Sequence, residues 1–130
     1  MLKPLFAAFA VLAMGVSPLA SQQKPDAPAA PPESVTITGR VVDTSCFLAL
    51  GRSGTEHKQC ATACARAGVP LAILSTDGTL YIPVSAKPAD AQNPRLAPFA
   101  EGPVKVTGTH RLRAGMHTIE IKTIEAPPGS

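Results

Sequence analysis

Two alternating runs that meet at Ala114-Gly115 constrain this chain more than any other feature. Val104, Val106, Gly108, His110 and Leu112 share one face of a strand, and His117, Ile119 and Ile121 share one face of the next. Successive residues of a strand point to opposite sides, so only a loop of even length brings both sets to the same core side. A two- or four-residue turn centred on Ala114-Gly115 does so. It sets His110 opposite Ile119 and Leu112 opposite His117, and turns Lys105, Thr107, Arg111, Glu120 and Lys122 to water.

The other strands follow from the same period. Val35 to Asp43 alternates over its first half, with Gly39 marking an expected bulge or bend. Leu71 to Leu74 and Leu80 to Val84 flank Ser75-Thr76-Asp77-Gly78-Thr79, where Asp-Gly signals a hairpin. Between the first and second strands, a helix from Glu56 to Ala67 starts after Thr55 as N-cap and ends at Gly68 before Pro70. Lys87 to Pro98 reads as loop, with one helical turn near Leu96 to Phe99. The expected fold is mainly β (α+β): five antiparallel strands in a small OB-like barrel with an inserted Cys-bearing helix.

The flanks are of different composition. Lys3, the apolar stretch Leu5 to Val16 and Ser17-Pro18-Leu19-Ala20 have the layout of a secretory signal over residues 1–20. The apolar run is shorter than the ~20 residues of a membrane helix, so a periplasmic or secreted domain with no membrane span after signal cleavage is expected. Residues 21–33 form a Pro/Ala-rich linker that cannot bury enough apolar surface to fold. The barrel domain is expected over 34–125, with 126–130 as a disordered tail.

Chemistry is concentrated in one segment. Cys46, His57, Cys60 and Cys64 gather all three cysteines and one of the three histidines of the chain. At about 100° per residue, His57, Cys60 and Cys64 fall at roughly 0°, 300° and 340° on a helix, one shared face. Cys46, at the end of the first strand, can close the set from the other side. That is a tetrahedral Cys3His constellation suited to zinc or copper(I), in a structural or metal-handling role. The competing reading is a disulfide-stapled accessory module with a protein partner and no metal. An oxidising compartment favours bridging of exposed thiols that no metal holds. Cys60 and Cys64 lie one helical turn apart with parallel Cβ directions, so the bridge would run from Cys46, closing a loop worth about 3 kcal/mol. A thiol-redox enzyme ranks last, because Cys60-x3-Cys64 lies inside the expected helix and lacks Cys-x-x-Cys at a helix start.

Other candidates are weaker. His110 and His117 sit near the hairpin tip as an incomplete pair, more in keeping with rim residues than with a metal or proton site. Asp43, Glu56 and Glu101 are the carboxylates expected near the cysteines or the barrel end, with no acid/base spacing. A net charge of +3 and the aromatics Phe47, Tyr81 and Phe99, the ones left after signal removal, do not equip a barrel to stack single-stranded nucleic acid. Arg111, Arg113, Lys105 and Lys122 make a modest basic stripe that reads as a solvated face. No Ser-His-Asp, Gly-x-Ser-x-Gly or Gly-rich phosphate pattern is present, so no enzyme is expected.

The strand Ile37-Thr38-Gly39-Arg40-Val41-Val42-Asp43 leads to Cys46, and His57, Cys60, Cys64 and Gly68 follow. The chain closes on Val104-x-Val106-x-Gly108-Thr109 and a Thr-Ile-x-Ile partner strand. In these features it resembles a family of uncharacterised exported bacterial OB-like domains with a Cys...His-x-x-Cys-x-x-x-Cys segment. The resemblance covers Val35 to Glu125 and implies an exported domain with no catalytic residue to carry over. In many members a Gly follows the first Cys, where this chain has Phe47.

Overall fold

The computed structural model describes residues 30–129. The signal segment expected over 1–20, most of the expected linker and Ser130 lie outside the described residues. Strands β1 (Glu33–Asp43), β2 (Leu71–Ser75), β3 (Leu80–Pro83), β4 (Pro103–Arg113) and β5 (Met116–Glu125) close into a barrel in the order β1-β2-β3-β5-β4. Short helices α1 (Thr44–Leu50) and α2 (Lys58–Arg66) lie between β1 and β2, and α3 (Asn93–Leu96) lies between β3 and β4. The architecture is the small OB-like barrel the sequence implies. No helix of the described residues is long and apolar enough to cross a membrane.

The hairpin register agrees residue for residue with the alternation: His110 pairs with Ile119, Leu112 with His117 and Arg113 with Met116. The two-residue turn Ala114-Gly115 has φ of +50° and +77°, the doubly left-handed geometry that matches strand twist in tight hairpins. Leu112 departs from its core assignment. It lies past the barrel rim and is exposed.

Three other expectations are corrected. The ladders are not all antiparallel, because β3 and β5 run parallel through Tyr81–His117 and Pro83–Ile119. A closed ring with an odd number of strands cannot alternate direction throughout, so one parallel ladder is unavoidable. The bulge lies elsewhere than Gly39, whose pairing with Ser75 on one side and Val104 on the other is unbroken. Gly39 is where β1 serves both neighbours, and a Cβ there would collide with Leu74 O. The irregularity falls opposite Thr107/Gly108. It skips Lys122, so that the inward phase of Ile119 and Ile121 passes to Ile124, which packs on the core, while Thr123 is exposed. Finally, the segment between β1 and β2 holds two helices, each bearing cysteine, instead of one over 56–67.

The core gathers Ile37, Val41, Leu71, Ile73, Val104, Val106, Ile119 and Ile121 from the strands, with Leu96 of α3 and Ala65 of α2 closing it. Asn93 ties three elements together. Its Oδ1 accepts from Leu71 N at 2.9 Å, and its Nδ2 donates to Val69 O at 2.7 Å and Ala65 O at 3.2 Å.

Candidate metal centre

The site forms where β1 runs out of the barrel. Val41, Val42 and Asp43 are fully buried. Asp43 then caps α1, its Oδ1 accepting from Cys46 N at 2.8 Å. An N-cap carboxylate satisfies one of the free N–H groups of the first turn, and here it also fixes where Cys46 points. The other oxygen, Oδ2, meets His57 Nε2 at 2.9 Å. His57 is buried and closes a tight 3-10 turn over Thr55–His57, immediately before α2. Gly54 precedes that turn, and Thr55 makes no side-chain capping bond.

The α2 helix buries Ala61 and Ala65 against the barrel, leaving Cys60 exposed and Cys64 half-buried on the flank. Starting at Lys58, it places Cys60 in its first turn instead of its interior. Its end follows the sequence expectation: Val69 N donates to Cys64 O at 2.9 Å and Gly68 N to Ala65 O at 3.1 Å, the paired bonds of a Schellman cap.

Side chains from these separate pieces converge. One donor atom each from Cys46, His57 and Cys60 lies within 4.8 Å of the others. Cys64 enters an overlapping set with Cys46 and Asp43, and a third set joins Asp43, His57 and Glu101. The cysteines and histidine singled out in the sequence are thus neighbours, with Cys46 common to both thiol sets. His57 and Cys64 do not share a set: seven residues apart, they would be separated by about 10 Å along the axis even on one continuous helix. Tetrahedral zinc at Zn–S of ~2.3 Å sets its sulfurs ~3.8 Å apart, so small side-chain movements suffice to close either thiol set on an ion.

All three cysteines are free thiols. Burial pushes the Cys46 thiol up to about 12, with the neighbouring Cys60 thiol and the Asp43 carboxylate adding to the shift. Burial, then the charge of Asp43 and the nearby Cys60, likewise raise Cys64. Burial works to raise Asp43, yet the Cys46 N–H, the hydrogen bond to His57 and the Cys46 thiol outweigh it and hold the carboxyl below its ordinary value. Nucleophilic thiol chemistry calls for the reverse, a thiolate stabilised near neutral pH. A bound cation would supply what these thiols lack, since a coordinating thiol is deprotonated outright.

Asp43 and Glu101 are the contributors that sequence reasoning placed nearby without a role. Asp43 had a signal in its position as a capping residue before Thr44-Ser45-Cys46. Glu101 had none. Its Oε2 accepts from Gly54 N at 2.7 Å, holding the loop that leads to His57. Glu56 stays outside, lining with Gly51, Arg52, Ser53 and His57 an open depression of about 450 Å³.

His110 and His117 meet at the other candidate position. Their rings stack at 5.1 Å with Nε2 and Nδ1 3.0 Å apart, and Tyr81 packs edge-on against both at 5.5 Å. Neither belongs to a metal-capable group among the described residues. The pair forms an aromatic cap on the barrel rim.

Comparison with known proteins finds no matching family model, no similar curated protein and no similar solved structure.

Proposed function

We propose that this chain is an exported metal-binding domain in which Cys46, Cys60, Cys64 and His57 hold zinc or copper(I), in a structural or metal-handling role. The observation that carries this reading is the approach of Cys46, His57 and Cys60 donors to within 4.8 Å of one another. They come from α1, the 3-10 turn and α2, so a single ion would tie together the whole excursion between β1 and β2. Thiolates with an imidazole are a donor set for both metals. The Asp43 carboxylate supports it further: metal-ligating histidines are oriented by a carboxylate on the other ring nitrogen, and Asp43 already engages Nε2.

The export segment at residues 1–20 puts the domain where unprotected thiols are oxidised, and a metal is one means of keeping three of them reduced. Elemental analysis of protein expressed to the periplasm tests this, with Cys46→Ser and His57→Ala alongside. About one bound ion in the parent chain and a marked loss in both variants is the expected result. Metal-free protein with fewer than three alkylatable thiols would overturn it in favour of a Cys46 disulfide and a stapled accessory module.

A further inference from the structure

Glu101 occupies a position where its side chain works against folding. Its φ is +56°, a left-handed conformation that side chains resist. It is 2% exposed, and its Oε1 has no hydrogen-bond partner, which a buried carboxylate tolerates poorly. Glycine would remove both penalties at the loss of one hydrogen bond, that from Gly54 N. The bonds that fix this corner, Glu101 N donating to Val41 O at 2.8 Å and the Arg40 guanidinium donating to Glu101 O at 2.6 Å, need no side chain at 101. Packing therefore does not explain a glutamate here, and backbone strain at a buried polar residue is a mark of functional positions.

What the carboxylate faces supplies the reason. An oxygen of Glu101, an oxygen of Asp43 and a ring nitrogen of His57 lie within 4.8 Å of one another, all three residues buried. The 2.9 Å between His57 Nε2 and Asp43 Oδ2 is also close to the separation of two ligands at right angles on an ion ~2.0–2.1 Å from each.

We propose that Asp43, His57 and Glu101 form a second cation position behind the thiols, for a divalent metal ion held by oxygen and nitrogen. On binding, the neutral imidazole takes the tautomer with its hydrogen on Nδ1, Nε2 turns its lone pair to the ion, and Glu101 Oε1 gains a partner. Carboxylates with one imidazole suit Mn(II) and similar cations, whereas thiolates suit softer ones. The position shares His57 and Asp43 with the thiol sets, and a neutral imidazole offers one lone pair, so an ion here and an ion on the thiols compete for His57; Glu101 belongs to this position alone, and its variants distinguish the two.

Titration with Mn(II), followed by electron paramagnetic resonance, tests it on the intact chain. The parent protein is expected to bind one Mn(II). Glu101→Gln, which keeps shape and can still accept from Gly54, should weaken binding about tenfold or more, while Glu56→Gln on the outer rim stays within twofold. No Mn(II) bound by the parent chain overturns the proposal, and so does a Glu101→Gln protein that binds as tightly as the parent. A chain that binds Mn(II) in this way but carries no metal on its thiols would refute the thiol reading alone.

Discussion

Asp43 Oδ2 and His57 Nε2 lie 2.9 Å apart, and that contact links the last residue of β1 to the turn that opens α2. Asp43 also holds the first turn of α1 through Cys46 N, so one carboxylate sets the position of two candidate ligands on separate elements. Replacing it should reveal both duties. Asp43→Ala is expected to cost about 1 kcal/mol for the lost cap and a further ~1–3 kcal/mol for the buried imidazole left unpaired. Asp43→Asn keeps a capping oxygen, so it should lose less stability while still weakening metal binding by about 10–100-fold. Denaturant unfolding beside metal titration separates the two effects.

The turn at Ala114 offers a gain instead. Ala114 holds φ +50°, where Asn or Gly is favoured in a two-residue hairpin. Ala114→Asn should stabilise the barrel by ~0.5–1 kcal/mol. A thermal midpoint at or below that of the parent would count against the turn geometry.

Asn93 makes three hydrogen bonds between α2, β2 and α3. Asn93→Ala should destabilise by ~2–3 kcal/mol at roughly 1 kcal/mol per bond, and amide exchange should quicken first at Leu71. Unfolding that matches the parent chain would show the clamp to be dispensable.

Acid sensitivity follows from two depressed carboxyls. Asp77 is lowered to about 2, first by the Ser75 hydroxyl and then by Thr79 N, and Asp43 is lowered as described. A carboxyl whose folded pKa lies below its unfolded value adds stability above the unfolded value and loses it as pH falls through the folded one. Stability should therefore decline from about pH 4 toward pH 2. Asp77→Asn should flatten part of that decline, as measured by urea midpoints across the range.

The β4–β5 hairpin was legible because strict alternation meeting at a two-residue turn permits one register only. Five strands in a closed ring require one parallel ladder, but that it falls between β3 and β5 was not legible, since alternation within a strand carries no information on the direction of its neighbour. Helix α1 was hidden by Phe47-Leu48-Ala49-Leu50, a run without helical period, in which Leu48 and Leu50 remain exposed. The capping Asp43 at its start and the left-handed Gly51 at its end were its local signs. The gathering of Cys46 with the α2 cysteines could be read from helical phase and from the end of β1. Glu101 was expected in this neighbourhood, but its burial on a left-handed backbone was not, because no glutamate advertises one.

X-ray absorption on protein loaded with one equivalent of zinc tests the central claim most directly. Thiol coordination predicts a first shell dominated by sulfur at ~2.3 Å with an imidazole nitrogen at ~2.0–2.1 Å, and loss of sulfur scatterers in Cys46→Ser. A shell of oxygen and nitrogen alone, unchanged by Cys46→Ser, would contradict it.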